Sequence, residues 1–199
     1  MSRYTGPKNR LSRREGFDLF GKGKKLRRPD VLPGQKKAKG PFARQTLYRD
    51  ELRARQRIKR FYALTGESFE RYINNALQMP GAQGENLLSL LERRLDNVIF
   101  RLGFAKTRSA ARQLVRHGHV KVNGRTTPAP SYEVSSSQEI TLSPQLLKTP
   151  VYLELSKNLP LIPAWLERRD SGGIVKRFPK ITDVPEPLSP SGVLASHSK

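Results

Sequence analysis

The stretch TRSAARQLVRHGHVKVNG, Thr107 to Gly124, decides the fold. It opens on Thr107, a residue suited to cap a helix, and continues with Ala110, Ala111, Leu114 and Val115 on one side. Arg108, Arg112 and Arg116 recur at every fourth position, so the spacing predicts a helix presenting all three from nearly one face. No acidic residue within that helix offsets them. Gly118 suits the left-handed position that closes a helix. His119 to Val122 then alternates as a short strand, and Asn123-Gly124 signals a tight hairpin turn. A helix, a glycine stop and a hairpin carrying Lys121 and Arg125 beside an arginine stripe are therefore expected.

Working outward, Leu87, Leu88, Leu91, Leu95, Val98, Ile99 and Leu102 recur at spacings of three and four, predicting one helix over about 84–102 that Gly103 ends. Its polar side adds Arg93, Arg94 and Arg101. Upstream, the pattern predicts a helix from Leu47 to Thr65, and a second capped by Ser68 and stopped by Pro80-Gly81. Downstream, Gln138 to Leu142 alternates as a strand, and Thr149-Pro150 starts a helix towards Lys157. Pro160 and Pro163 break the chain before Trp165, which is expected to anchor packing between domains. GGIVKRFP, residues 172–179, reads as a short strand. There is no internal repeat.

The fold class that follows is α+β: a mostly helical domain, plus a small domain of two helices on a short, mostly antiparallel sheet. A basic irregular arm over 1–45 precedes them. The helical domain is placed at 46–90, joined by 159–199, and the small domain at 91–158.

The chain has 199 residues, 36% hydrophobic, and a formal net charge of +21. Two blocks hold most of that charge, with a net +11 over 1–45 and +7 over 91–125. A field of this sign and density attracts polyanions. The first block is rich in Gly, Pro and Lys with no steady period, so it is expected to be irregular alone and to order against RNA. With no cysteine there is no disulfide and no thiolate metal site, and three histidines give no zinc cluster, so no cofactor and no metal are expected. No apolar run approaches a membrane span. The basic amino terminus lacks the apolar core of a signal peptide, though it shares features with organelle transit peptides.

Three chemistries compete. Cations from two helices and a hairpin on one surface suit the phosphates of folded RNA. A DNA-binding helix-turn-helix needs one helix set in a major groove, which this spacing fits less well. An RNA-modifying enzyme is the third: Arg94-Leu95-Asp96 superficially matches the RLD motif of pseudouridine synthases. Asp96, however, lies within a predicted helix and no catalytic domain of adequate size remains, so it is expected to orient a neighbouring arginine. No other catalytic set and no nucleotide loop is present, and no enzymatic activity is expected.

The run LERRLDNVIFRLGFAKTRSAARQLVRHGHVKVNGRTTPAPSYEV, residues 91–134, strongly resembles the small RNA-binding domain of the family of ribosomal protein four of the small ribosomal subunit. MSRYTGPKNRLSRR, TGESFERYINNA and PAWLERR resemble the same family, so the likeness covers most of the chain. It implies a structural constituent of the small subunit, a primary binder of its ribosomal RNA that nucleates assembly and helps form the entrance for messenger RNA. Small-subunit proteins three and five are its implied neighbours, and some members repress their own transcripts. The implied place is a cytoplasmic ribosome, with an organellar one as the alternative. Two departures stand out: some members carry a cysteine-based zinc site that this chain cannot form, and the apolar carboxy-terminal segment of the family is here the polar PEPLSPSGVLASHSK, with Val193 and Leu194 alone keeping the character. From charge, position and resemblance the expected RNA contacts are Arg3, Lys8, Arg10, Arg13, Arg14, Lys24, Lys25, Arg49, Arg53, Arg93, Arg94, Arg101, Arg108, Arg112, Gln113, Arg116, His117, His119, Lys121, Asn123 and Arg125.

Overall fold

A computed structural model of the chain describes residues 4, 6–21, 23, 26, 33, 46–157, 160–190 and 193. Two compact units divide it, one from Met1–Arg71 with Leu188–Lys199 and one from Tyr72–Pro187.

In the first unit α1 (Lys8–Glu15) buries Leu11, Ser12 and Glu15, and Gly16, at φ 75°, closes it. The expectation of an irregular arm therefore fails at these eight residues. A helix so short is marginal alone, and its support is tertiary: the Glu15 carbonyl accepts a hydrogen bond from Arg57 Nη2 at 3.0 Å, and its carboxylate pairs with Arg60. Most of the Gly- and Lys-rich run after Phe20 lies outside the described residues. Helix α2 (Leu47–Phe61) starts at Thr46, whose hydroxyl accepts from the Arg49 amide at 3.3 Å, and it buries Ile58 and Phe61. Its end is closed at Ala63, at φ 52°, with the Leu64 amide donating to Lys59 O at 2.9 Å. The cap of α3 (Gly66–Gln78) is Thr65, whose hydroxyl accepts from the Ser68 amide at 3.3 Å; Ser68, the expected cap, is the donor. Leu188 and Val193 are buried despite the polar composition around them.

The second unit breaks the helix predicted over 84–102 into α4 (Gln83–Glu92) and α5 (Leu95–Arg101). Arg94 is extended, at φ −60° and ψ 133°, and bridges to Glu133. The first amides of α5 have no helical partner; those of Leu95 and Asp96 donate instead to Tyr132 O and Pro130 O, at 2.8 and 3.2 Å. A distant loop thus supplies the carbonyls that begin α5, and its Val134 amide donates to Arg93 O, after the end of α4, at 2.9 Å. Helix α6 (Arg108–Arg116) begins at Thr107, whose hydroxyl accepts from the Ala110 amide at 3.2 Å.

After α6 come β1 (Val120–Val122), β2 (Arg125–Thr126) and β3 (Glu139–Leu142), then α7 (Pro144–Leu147), α8 (Pro150–Lys157), β4 (Leu166–Arg169) and β5 (Gly172–Val175). They form one sheet in the order β2-β1-β3-β5-β4, every neighbouring pair antiparallel. The hairpin turn has Asn123 at φ 48° and Gly124 at φ 78°, the paired positive values that Asn-Gly favours. Strands β4 and β5 extend the sheet beyond β3, so residues 166–175 belong with it and not with the helical part to which 159–199 was assigned. Residues 72–90 likewise fall in this unit. Trp165 is fully buried in the unit's own core with Leu95, Ile99, Leu102, Val115 and Ile140.

Gly172 lies opposite Thr141, and a Cβ there would sit 1.9 Å from the Ile140 carbonyl oxygen. That oxygen belongs to a paired strand and cannot move without opening the β3–β5 ladder. Gly172→Ala is expected to destabilise the protein by about 3 kcal/mol, read by urea unfolding; a loss within error of zero would show that the strands pass one another less closely.

Candidate nucleic-acid interface

Two carboxylates at the α4–α5 junction, Glu92 and Asp96, are 1% and 2% exposed. Asp96 accepts from Arg94 Nε and Nη2, at 3.1 and 3.0 Å, and from Arg112 Nε at 2.8 Å. Arg94 Nη1 donates to the Tyr72 hydroxyl at 2.7 Å. Burial pushes the Tyr72 hydroxyl pKa up, more than the neighbouring guanidinium pulls it down. For Arg94 burial opposes the charge, but Asp96 and Tyr72 outweigh it and raise its pKa, so it remains a cation.

Glu92 accepts from Arg101 Nε and Nη2 at 2.9 and 2.8 Å, and from Asn97 Nδ2 at 2.8 Å. Asn97 Oδ1 in turn accepts from Arg108 Nε at 2.8 Å, and the Arg108 guanidinium lies over the Phe100 ring, 4.3 Å from its centre. The other edge of Arg101 meets Glu186, at 2.9 and 2.8 Å.

These bonds sort the predicted contacts. Arg94, Arg101 and Arg108 are buried and bonded within the protein. Arg108, Arg112 and Arg116 do not make one exposed row: the first is 8% exposed, the second half-buried against Asp96, and the third exposed. Four residues overshoot a helical turn by about 40°, so the row winds from the core at Arg108 to solvent at Arg116. Arg93 is half-buried, its Nε donating to Val134 O at 2.9 Å and its guanidinium 4.4 Å from the centre of the Phe178 ring.

The exposed members gather beyond the core. Gln113, Arg116 and His117 lie on the last turn of α6 and its cap, and Gly118, at φ 76°, turns the chain into the hairpin. A Cβ on Gly118 would lie 3.5 Å from the Thr126 methyl, so this turn rests against β2. The rings of His117 and His119 are 6.3 Å apart, and His119 Nδ1 is 3.2 Å from Ser143 Oγ. Lys121 pairs with Thr126 in the register, while Arg125 pairs with Val122. Alternation therefore puts Lys121 and Arg125 on opposite faces of the hairpin. Asn123 holds the turn, its Oδ1 accepting from the Glu139 amide at 2.9 Å.

In the helical unit Lys8 and Arg10 are exposed, and Arg13, Arg14, Arg49 and Arg53 are half-buried. Arg3, Lys24 and Lys25 lie outside the described residues. Arg14, Arg49 and Arg53 line one open groove of about 300 Å³ together with Leu52, Gln56 and Arg60. Gln56 and Arg60 are absent from the expected contacts, though their spacing from Arg49 and Arg53 places all four on one face of α2. Among the described residues no group of His, Asp and Glu is arranged to hold a metal ion, and no helix is long and apolar enough to cross a membrane.

The RLD stretch is closed to chemistry, because Asp96 is buried and its oxygens are occupied by two arginines. Asp96→Asn leaves the Arg94 guanidinium buried without its counterion and is expected to cost about 3–5 kcal/mol. Chemical denaturation measures it, and a loss below about 1 kcal/mol would mean that the pair is dispensable.

Comparison with known proteins identifies the family. Residues 93–140 match the S4 domain, and residues 3–92 match the ribosomal protein S4/S9 N-terminal domain. Small ribosomal subunit protein uS4 of Trichlorobacter lovleyi is 42% identical over 211 aligned positions, covering all of both chains. The uS4 proteins of Thermoanaerobacter sp. and Halalkalibacterium halodurans are 41% and 36% identical, again over the whole of each chain. A match of this extent, covering the whole chain, places it in the uS4 family of small-subunit ribosomal proteins.

Proposed function

We propose that this chain is a primary binder of small-subunit ribosomal RNA that helps nucleate assembly, gripping phosphates with the turn between α6 and β1. As a member of the uS4 family it is a structural constituent of the small ribosomal subunit, part of the ribosome, and not an enzyme. The S4 domain carries the ribosomal RNA binding. One observation supports the location: Glu92 and Asp96 are buried against arginines, while Arg116, Lys121 and Arg125 are exposed around Gly118. The local field at that end is therefore positive, and it is borne on a short, well-capped frame. A helix end and a hairpin reading phosphate spacing suit folded RNA better than a helix inserted in a DNA groove. Arg112, held by Asp96, and His117, His119, Gln113 and Asn123 complete the proposed contact surface of the sheet unit, and Lys8, Arg10 and Arg13 are proposed as separate contacts of the helical unit. Proteins three and five of the small subunit, and messenger RNA at its entrance channel, are proposed neighbours; the family resemblance supports them.

Each phosphate neutralised contributes about 0.7 to 0.9 to the dependence of log affinity on log salt. Arg116→Gln with Lys121→Gln should therefore weaken binding to a small-subunit ribosomal RNA fragment and lower the slope by about 1.4 to 1.8. The melting curve should not move, because neither side chain is buried. Arg108→Gln should do the reverse, lowering stability through Asn97 and Phe100 with little change in slope. A salt titration with an unchanged slope in the folded double variant would place the grip elsewhere.

A further inference from the structure

We propose that Lys59, on the last turn of α2, is a site of N-acylation by small anionic donors of the acyl phosphate class. It differs from the other lysines whose side chains are described. Lys8, Lys106, Lys121, Lys148, Lys176 and Lys180 are exposed, whereas Lys59 is half-buried. Lys106 and Lys176 also have an acid partner, in Glu154 and Glu167. Among the described residues no carboxylate stands within ion-pairing distance of the Lys59 ammonium.

The surroundings of that ammonium are cationic. Arg55 lies one turn before Lys59 on the same side of α2, and Arg60 follows it directly. The acid that offsets them is Glu70 of α3, and its carboxylate accepts from Arg55. Arg60 is paired with the buried carboxylate of Glu15, which holds it in place. Burial is the largest influence on Lys59 and lowers its pKa; Arg60 and then Arg55 lower it further, against a smaller opposing pull from Glu70. A lysine withdrawn from water among cations is a neutral amine more of the time than one in solvent, and the neutral amine is the nucleophile.

The reaction balances between the amine and the donor. Lys59 Nζ, having lost a proton to water, attacks the acyl carbonyl carbon. The N–C bond forms and the C–O bond to phosphate breaks. Phosphate leaves with that electron pair and takes up the proton the nitrogen then releases. The cations that favour the neutral amine also concentrate an anionic donor and stabilise the departing phosphate. A neutral donor gains only the first of these effects. The product is an uncharged amide, so acylation removes one of three crowded charges and leaves the Arg55–Glu70 and Arg60–Glu15 pairs in place.

The full-length protein is incubated with acetyl phosphate, its remaining amines are capped with a deuterated acetyl reagent, and acetylation at each lysine is read by mass spectrometry. At about pH 7 the fraction at Lys59 should exceed that at Lys121, Lys148 and Lys180 by about threefold or more. The lead should vanish at about pH 10.5, where exposed lysines are also largely neutral, and in urea at neutral pH, where the surroundings of Lys59 are lost. Glu70→Gln removes the opposing pull and should raise the rate at Lys59. Arg55→Gln should lower it, by removing a cation and releasing Glu70. Circular dichroism shows whether each variant is folded; where one is not, the pH profile of the wild-type protein carries the test. With acetic anhydride, a neutral donor, the lead should be smaller. Equal acetylation of Lys59 and the exposed lysines at neutral pH overturns the proposal. So does a lead that persists in urea, or one that moves in the same direction in both folded variants. A lead as large with acetic anhydride overturns the anionic donor class.

Discussion

Asp96 is the constraint on which the sheet unit depends. A carboxylate withdrawn from water must have its lone pairs filled, and the donors that fill these come from Arg94 in the extended link before α5 and from Arg112 on α6. The Asp96 amide meanwhile donates to Pro130 O. One residue therefore fixes a chain break, a loop and the setting of α6. Apolar packing through Leu95, Ile99, Ala111 and Val115 holds the helices together, but it tolerates small rotations. The ion pair of Arg112 with the buried Asp96 does not. It sets how far round α6 is turned, and so which of its side chains reach solvent.

Arginine does two different jobs here, and sequence does not separate them. Arg108 and Arg116 sit on the same helix, eight residues apart, in a stretch with few acids. Their fates differ: Asn97 and Phe100 hold the first, which is buried, while the second is exposed. The counterions are invisible from α6 alone, since Glu92 and Asp96 act from α4 and α5, and their reach depends on the break at Arg94.

That pattern explains what was legible. Signals that are complete within a few residues were readable: the Thr107 cap, the left-handed Gly118, the Asn123-Gly124 turn, the proline that opens α8 and the strand over Glu139–Leu142. Features written by distant partners were not. The break at Arg93-Arg94 has no local breaker, and the apolar stripe runs through it unchanged; carbonyls near residue 130 create it. Helix α1 depends on arginines of α2, more than forty residues away. The pairing of β5 with β3 requires Gly172, and its close approach to β4 and Leu102 requires Gly173, which read locally only as a strand start. Trp165, expected between domains, is buried within one unit's core because β4 and β5 bring it there. The arm's helix and the buried arginines share a cause: a charged residue's position in the fold is set by its partner, and composition does not say where the partner is.

The placement of acids completes the picture. In a chain with 38 basic and 17 acidic residues, an acid at the RNA-facing surface would cancel a cation within a screening length. Glu92 and Asp96 are buried in the sheet unit and Glu15 in the helical unit, each bonded to arginines. There they orient guanidiniums without diluting the outward field. Exposed acids of the sheet unit stand elsewhere: Glu139 pairs with Arg169, Glu167 with Lys176 and Glu154 with Lys106. In the strand order β2-β1-β3-β5-β4 those strand pairs lie on the β3–β5–β4 side, and the exposed Lys121 and Arg125 lie on β1 and β2. The sheet is thus polarised, near neutral along one side and positive along the other. A polyanion approaching such an object is turned towards the positive edge before any contact forms. Behind that edge the buried carboxylates fix the frame, Asp96 through Arg94 and Arg112 and Glu92 through Arg101.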